Sequence, residues 1–368
     1  MNILFTSDLS GMGGGETSLT NLCQVMKKEN NVCVVCDCDG KLVTILKQMG
    51  VDVIVLNYRN KKKLIVNLFK LRSIIKNKKI NIIHSNDPIT SIIFKVAALG
   101  TKSDNFWTCH GQWYDFSFIK KLLIRWSNRH VFCVSSKVQE NLTRMGFKYT
   151  SVTYLGIPLE KYEYAESSKL RQELRLNSKD YLIATIGRFQ RIKGQLKLVQ
   201  AVESLIRNDP NLILLLIGGC IYNNQEEKEY FEEIKDYISN KGLQENIFFV
   251  GERSDIPNIM HEIDLLVIPS DNESFGMVAI EALASGLPVL STPNDGVSEI
   301  LMYHKNMLAP SNDPDGLHFV IQSYLNSREI QEAIYKYEMK RKKDFDIQVV
   351  AKKYVDIFTK NGGKRCTV

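Results

Sequence analysis

No apolar run in this chain approaches the roughly 20 residues a helix needs to cross a bilayer; the longest, residues 212–217, is a strand-length stretch. No cationic segment precedes an apolar one at the start, where residues 2–7 read as a buried strand. The expectation is therefore a cytoplasmic protein that does not span a membrane. The dinucleotide fingerprint is missing from the first Gly-rich turn, Gly13-Gly14-Gly15-Glu16. The basic residues are not interleaved with stacking aromatics, and no nucleic-acid-binding motif occurs, so nucleic acid is not an expected partner. A disulfide framework is not expected either. The eight cysteines lie mostly inside apolar strands (Cys33, Cys36, Cys133) or beside Trp107 (Cys109), where a free thiol behaves as a small hydrophobe. A strand points Cys33 and Cys36 to opposite faces, which argues against a metal site with Cys38.

What the chain does have is alternation. Short apolar strands are expected at 2–7, 32–36, 52–56, 80–84, 106–110 and 130–134, with helices between them at 17–28, 42–49, 64–76, 87–99 and 118–128. A break follows at Gly156-Ile157-Pro158, and the polar stretch 160–169 reads as a linker. The alternation then restarts, with strands at 181–186, 212–217, 247–250, 265–268 and 289–291. Helices are expected at 194–206, 226–240, 256–260 and 276–284. Continuous apolar strands separated by helices mean parallel sheets covered on both faces. The reading is α/β, with two Rossmann-like, doubly wound parallel-sheet domains facing a central cleft. Residues 1–160 form the first domain and 161–345 the second. A final helix within 346–368 is placed to pack back on the first.

The net charge of +7 hides an asymmetry. Residues 1–160 hold 22 Lys/Arg against 11 Asp/Glu, and residues 161–368 hold 26 against 30. A basic first half suits an anionic partner such as a membrane surface or a diphosphate lipid. The lysines at 61–63 and 76–79 also fit solvated helix faces.

Chemistry concentrates after two strands of the second half. Residues 269–288, Pro-Ser-Asp-Asn-Glu-Ser-Phe-Gly-Met-Val-Ala-Ile-Glu-Ala-Leu-Ala-Ser-Gly-Leu-Pro, deliver Glu273 to a loop and open a helix near Gly276. Such a helix start offers unpaired N–H groups and a positive dipole end to phosphate oxygens. Glu273 and Glu281 make sense beside an anion if they accept hydroxyl hydrogen bonds, because ionised carboxylates only accept. Gly187-Arg188-Phe-Gln-Arg-Ile-Lys193-Gly194 follows another strand, and its two cations can grip a leaving diphosphate.

These segments resemble the donor-site signature of the family 4 retaining glycosyltransferases (glycosyl transferases group 1), which have the GT-B fold. Glu, seven residues, Glu is matched by Glu273 and Glu281, with Phe-Gly after the first and Gly-x-Pro-Val after the second. The resemblance implies that Glu273 contacts the transferred sugar and Glu281 the ribose. It implies that the backbone at Phe275, Gly276 and Met277 holds sugar and diphosphate. It also implies that Arg188 and Lys193, after Gly187, stabilise the leaving group. In the first half it assigns Gly14 and Gly15 to a loop facing the diphosphate and acceptor, and His110, at a strand end, to the reacting pocket. Many relatives carry a second histidine where Asn86 stands here. The activity implied is a retaining, metal-independent hexosyltransferase without a cofactor. It moves a sugar from a nucleoside diphosphate, UDP more than GDP, to a glycan or lipid-linked acceptor in bacterial surface polysaccharide assembly.

The rival readings are a nucleotide-sugar epimerase of the same architecture and a non-catalytic nucleotide-sugar-binding module. Asp37-Cys38-Asp39 looks like a metal-holding Asp-x-Asp, but nothing else supports the glycosyltransferase fold that uses one. Residues 116–126 mix apolar bulk with Lys120, Lys121 and Arg125. They read either as a core-facing helix with a basic outer side or as a segment lying in an anionic membrane interface on the inner face of the plasma membrane.

Overall fold

The computed structural model describes residues 1–111, 114–164, 169–220 and 225–360. The chain forms two units, Met1–Ile157 together with the segment from Phe345 onward, and Pro158–Asp344. The first is built on strands Asn2–Ser7 (β1), Asn31–Cys36 (β2), Asp52–Val55 (β3), Ile82–Ser85 (β4), Asp104–Cys109 (β5), His130–Cys133 (β6) and Thr150–Val152 (β7). All pair in parallel in the order β3-β2-β1-β4-β5-β6-β7.

Alternation along β1 explains the two cores, since neighbouring side chains leave a strand on opposite faces. Ile3 and Phe5 bury against helices Gly14–Met26, Lys41–Gln48 and Ile347–Lys360. Leu4 buries on the other side against helices Leu64–Asn77 and Pro88–Ala97. The helix Ile347–Lys360 contributes Tyr354 and Phe358 to the first core, so the chain's last described helix is part of the first unit.

The second unit carries Tyr181–Ile186 (β8), Leu212–Ile217 (β9), Ile247–Gly251 (β10), Leu265–Ile268 (β11) and Val289–Ser291 (β12), in the order β10-β9-β8-β11-β12. Every residue of β9 is buried, as an all-apolar central strand should be. In both sheets the strand order reverses direction once, between β1 and β4 and between β8 and β11. Doubly wound sheets bind ligands beyond the carboxyl ends of the strands at such a switch point.

Some local features differ from the sequence expectation. Ser136–Arg144 is a helix whose buried side chains are Val138 and Leu142 alone, a sparse apolar signal in a polar segment. Ser135 caps that helix, its Oγ accepting from the Val138 amide at 3.4 Å. The expected linker is in part a helical turn, Glu160–Glu163, which buries Tyr162; residues 165–168 of that stretch lie outside the described residues.

Candidate active site

The switch point of the second sheet brings both motifs together, because they follow the adjacent strands β8 and β11. The junction is tight. Gly194 has φ +70°, and a Cβ there would stand 2.1 Å from the Pro269 carbonyl oxygen. Only glycine lets the two backbones approach this closely in a left-handed conformation. The Asp271 amide donates to the Ile192 carbonyl at 2.8 Å, stitching the loops to each other.

Lys193 and Glu273 meet across this seam. Lys193 Nζ donates to Glu273 Oε1 at 2.5 Å, and Ser270 Oγ donates to the same oxygen at 3.0 Å. Their side chains are only 21% and 16% exposed, so the pair is largely shielded from solvent. Arg188 lies on the same loop, its carbonyl held by Gln195 Nε2 at 2.7 Å. Arg191, which matches no site position, pairs outward with Glu233 at 2.6 Å.

Beyond Glu273 the chain turns through buried Phe275 into helix Met277–Ser285. Gly276 caps the start at φ +106°, where a Cβ would meet Val297 Cγ2 at 2.7 Å. The loop is pinned again by the Gly296 amide, which donates to the Glu273 carbonyl at 2.8 Å. The helix therefore presents its N-terminus beside Lys193 and Glu273, and positive partial charge gathers there.

Glu281 sits one turn further along, about 6 Å by helical rise from Met277. Burial pushes its carboxyl up to about 7, against the opposing effect of a hydrogen bond from Tyr162 and the nearby charge of Lys161. Tyr162 is itself held, its carbonyl bonded to His261 Nε2 at 2.6 Å. Sequence reasoning missed Tyr162. The available signal was an aromatic inside a polar run, and its partner lies far along the chain.

The first unit gathers a different set. Gly14 opens helix Gly14–Met26, and the Glu16 carboxylate accepts from the Gly13 amide at 3.0 Å, fixing the turn. His110, just past β5, lies against that turn: a Cβ on Gly15 would stand 3.9 Å from its ring. Burial lowers the His110 imidazole to about 4, so it is neutral at ordinary pH. Its Nε2 is buried without a hydrogen bond among the described residues. His84 belongs to the core instead. Its Nε2 is 2.8 Å from Thr108 Oγ1, and its ring is surrounded by Phe5, Phe132, Tyr354 and Phe358.

The Asp-x-Asp residues serve the backbone: Asp37 accepts from the Arg59 amide at 2.7 Å and Asp39 from the Gly40 amide at 2.9 Å. Among the described residues no three His, Cys, Asp or Glu side chains are grouped to hold a metal, and no helix is long and apolar enough to cross a membrane.

Two family models match the chain, Glycosyltransferase Family 4 over residues 12–161 and Glycosyl transferases group 1 over residues 166–341. The D-inositol 3-phosphate glycosyltransferase of Corynebacterium kroppenstedtii is 34% identical over 148 residues, which are 37% of this chain and 32% of that protein. Spore coat protein SA of Bacillus subtilis is 25% identical over 225 residues, 58% of this chain and 59% of the relative. The chain thus spans about a third to three-fifths of these curated relatives. Among solved structures, Anabaena HepE in complex with UDP superposes with a TM-score of 0.85 at 22% identity, covering 98% of this chain and 100% of HepE. A glycosyltransferase from Rickettsia africae gives 0.86 at 22% identity, with 99% of each chain covered. With a matching family model on each half and GT-B neighbours along nearly its whole length, the chain belongs to the group 1, family 4 glycosyltransferases and has the GT-B fold.

Proposed function

We propose that the chain moves a sugar from a nucleoside diphosphate donor to a hydroxyl of a glycan or lipid-linked acceptor, with retained anomeric configuration and without a metal. The observation that carries this is the Lys193–Glu273 pair at the switch point, beside a helix N-terminus. A diphosphate needs positive charge as it leaves, and Lys193, Arg188 and the helix start supply it. A sugar needs acceptors for its hydroxyls. Ser270 and Lys193 both converge on Oε1 of Glu273, so Oε2 is the oxygen available to the sugar. Phe275, Gly276 and Met277 offer backbone to sugar and phosphate, and Glu281 takes the ribose. Gly14 and Gly15 approach the diphosphate and acceptor, and His110, neutral, hydrogen-bonds the reacting sugar.

In this reading the donor phosphate takes the acceptor's proton as the bond to the leaving group breaks on the same face. UDP is preferred over GDP because HepE was solved with UDP, with UDP and glucose, and with UDP-glucose. Assembly of a bacterial surface polysaccharide (capsule, exopolysaccharide or lipopolysaccharide) at the cytoplasmic membrane face is the setting we assign. WaaB, a lipopolysaccharide outer core galactosyltransferase, is among the structural neighbours.

The test is nucleotide release from a panel of UDP- and GDP-sugars, with and without lipid extract, in the presence of chelator. Acceptor-stimulated release that survives chelator and disappears in Lys193→Ala and Glu273→Ala supports the proposal. Conversion of the donor sugar without any acceptor would replace it with the epimerase reading. Binding without turnover across acceptors would replace it with the binding module.

A further inference from the structure

Two helices of the first unit turn apolar side chains outward, although helix Leu64–Asn77 also buries Leu71 and Ile75 in the core. In helix Phe118–Ser127 only Ile124 and Ser127 are buried, whereas Phe118, Ile119, Leu122, Leu123 and Trp126 are exposed, Phe118 at 74%. In helix Leu64–Asn77 the polar Asn67 is buried, its amide bonded to the Asn57 carbonyl at 2.6 Å, while Ile65, Val66 and Phe69 face solvent. Water-exposed helices ordinarily do the reverse, and a contiguous apolar patch on a folded surface marks a binding face.

The two helices share one side of the sheet, with helix Pro88–Ala97 packed between them. The Arg72 guanidinium donates to the Ala97 carbonyl at 3.3 Å, and Lys95 lies 6.0 Å over the Trp126 ring, so the three form one layer. Both outer helices begin at the carboxyl edge of the sheet, since each follows a strand. Their first turns therefore place Leu64, Ile65, Phe118 and Ile119 at the same rim as Gly15 and His110.

The charge of this layer selects its partner. Residues 61–77, 88–97 and 118–127 hold ten Lys/Arg and no Asp/Glu. None of the ten forms an ion pair among the described residues. A second copy of the chain would bring ten more cations against these, and like charges repel. A face that joins exposed Phe, Ile, Leu and Trp to a dense cationic field fits the interface of an anionic bilayer, where rings and aliphatic chains enter the headgroup boundary and lysines meet lipid phosphates.

We infer that the outer face formed by helices Leu64–Asn77, Pro88–Ala97 and Phe118–Ser127 docks on an anionic lipid surface. This deepens the membrane setting proposed above and does not depend on the donor chemistry. The test is cosedimentation of the full chain with phosphatidylcholine vesicles and with vesicles carrying about 30 mol % phosphatidylglycerol, at low and raised salt. The expected result is binding to the anionic vesicles only, weakened by salt. Phe118→Ser with Trp126→Ser, Ile65→Ser with Phe69→Ser, and Lys120→Glu with Lys121→Glu should each lower partition by about tenfold or more. The control, Arg328→Glu with Lys336→Glu on the second unit's helix Arg328–Arg341, should leave partition unchanged.

All the altered side chains are surface ones, and donor-dependent nucleotide release in solution monitors folding and the donor site separately. Equal binding to neutral and anionic vesicles, or no binding to either, overturns the inference. So does a loss in the control that matches the loss in the face variants. Self-association that vanishes in the face variants, without vesicle binding, assigns the face to a second copy and also overturns it.

Discussion

At its switch point the second unit gathers positive charge. Lys193, Glu273 and a helix N-terminus converge there, with Arg188 on the adjoining loop. The corresponding edge of the first unit is lined by carboxylates instead, since Asp8, Asp37, Asp39 and Asp87 follow β1, β2 and β4. His110 is held neutral by burial and lies against a glycine turn, with the Glu16 carboxylate tied back to the backbone. The first unit carries its excess charge elsewhere, on the outer faces of helices. In the function proposed above, two sheets of the same doubly wound kind divide the work: one edge neutralises a leaving diphosphate, and the other supplies hydrogen bonding and shape.

The sharpest way to break this comparison is to remove charge from the second unit. Lys193→Ala and Glu273→Ala should each lower turnover by about a hundredfold or more, as loss of a preorganised electrostatic group does. Single-turnover release of nucleotide measures it. Next in size is the seam itself. Gly194→Val forces a side chain into the Pro269 carbonyl at a positive φ, and should destabilise the second unit by about 2–4 kcal/mol in urea unfolding.

The units should also part in acid. His84 and His110 have imidazoles lowered by burial to about 3 and about 4. Below about pH 6.5 the unfolded chain binds protons that the folded one refuses. Stability from these groups is therefore full above that pH and falls as pH drops, by about 1 kcal/mol for each histidine near pH 5.5. Glu281 runs the other way. Its carboxyl is raised to about 7, so between there and its ordinary range the folded state binds the extra proton and gains stability as pH falls. Hydrogen exchange at pH 7.5 and 5.5 should show faster opening of β4 and β5 at the lower pH, but no matching loss in helix Met277–Ser285.

The smallest effect expected is on donor affinity. In the proposed donor site, protonating Glu281 removes a charged acceptor from the ribose, so binding of a UDP-sugar should weaken about threefold to tenfold from pH 8 to pH 6. Glu281→Gln should flatten that profile, and calorimetric titration across pH checks it.

Much of the proposed donor edge was legible in the sequence because its parts are local. Gly187 to Gly194 and Glu273 to Met277 each follow a strand that the apolar runs reveal, and strand ends are where α/β sheets place ligands. What could not be read was long-range. Tyr162 sits in a polar run and acquires meaning only when folding brings it to Glu281. The apolar spacing of residues 118–127 shows that one face of the helix is hydrophobic, but spacing does not say whether that face turns to the core or to solvent. Ile124 and Ser127 alone turned inward. The helix Ser136–Arg144 escaped notice because two buried side chains leave little periodicity to detect.

The division of labour is tested most directly by measuring UDP affinity in two variants side by side, Lys193→Ala and His110→Ala, with the folded state of each checked by near-ultraviolet circular dichroism. The account predicts at least about a tenfold loss of affinity in Lys193→Ala and wild-type affinity in His110→Ala despite slowed sugar transfer. Wild-type UDP binding in Lys193→Ala, or an equal loss in His110→Ala, would contradict it.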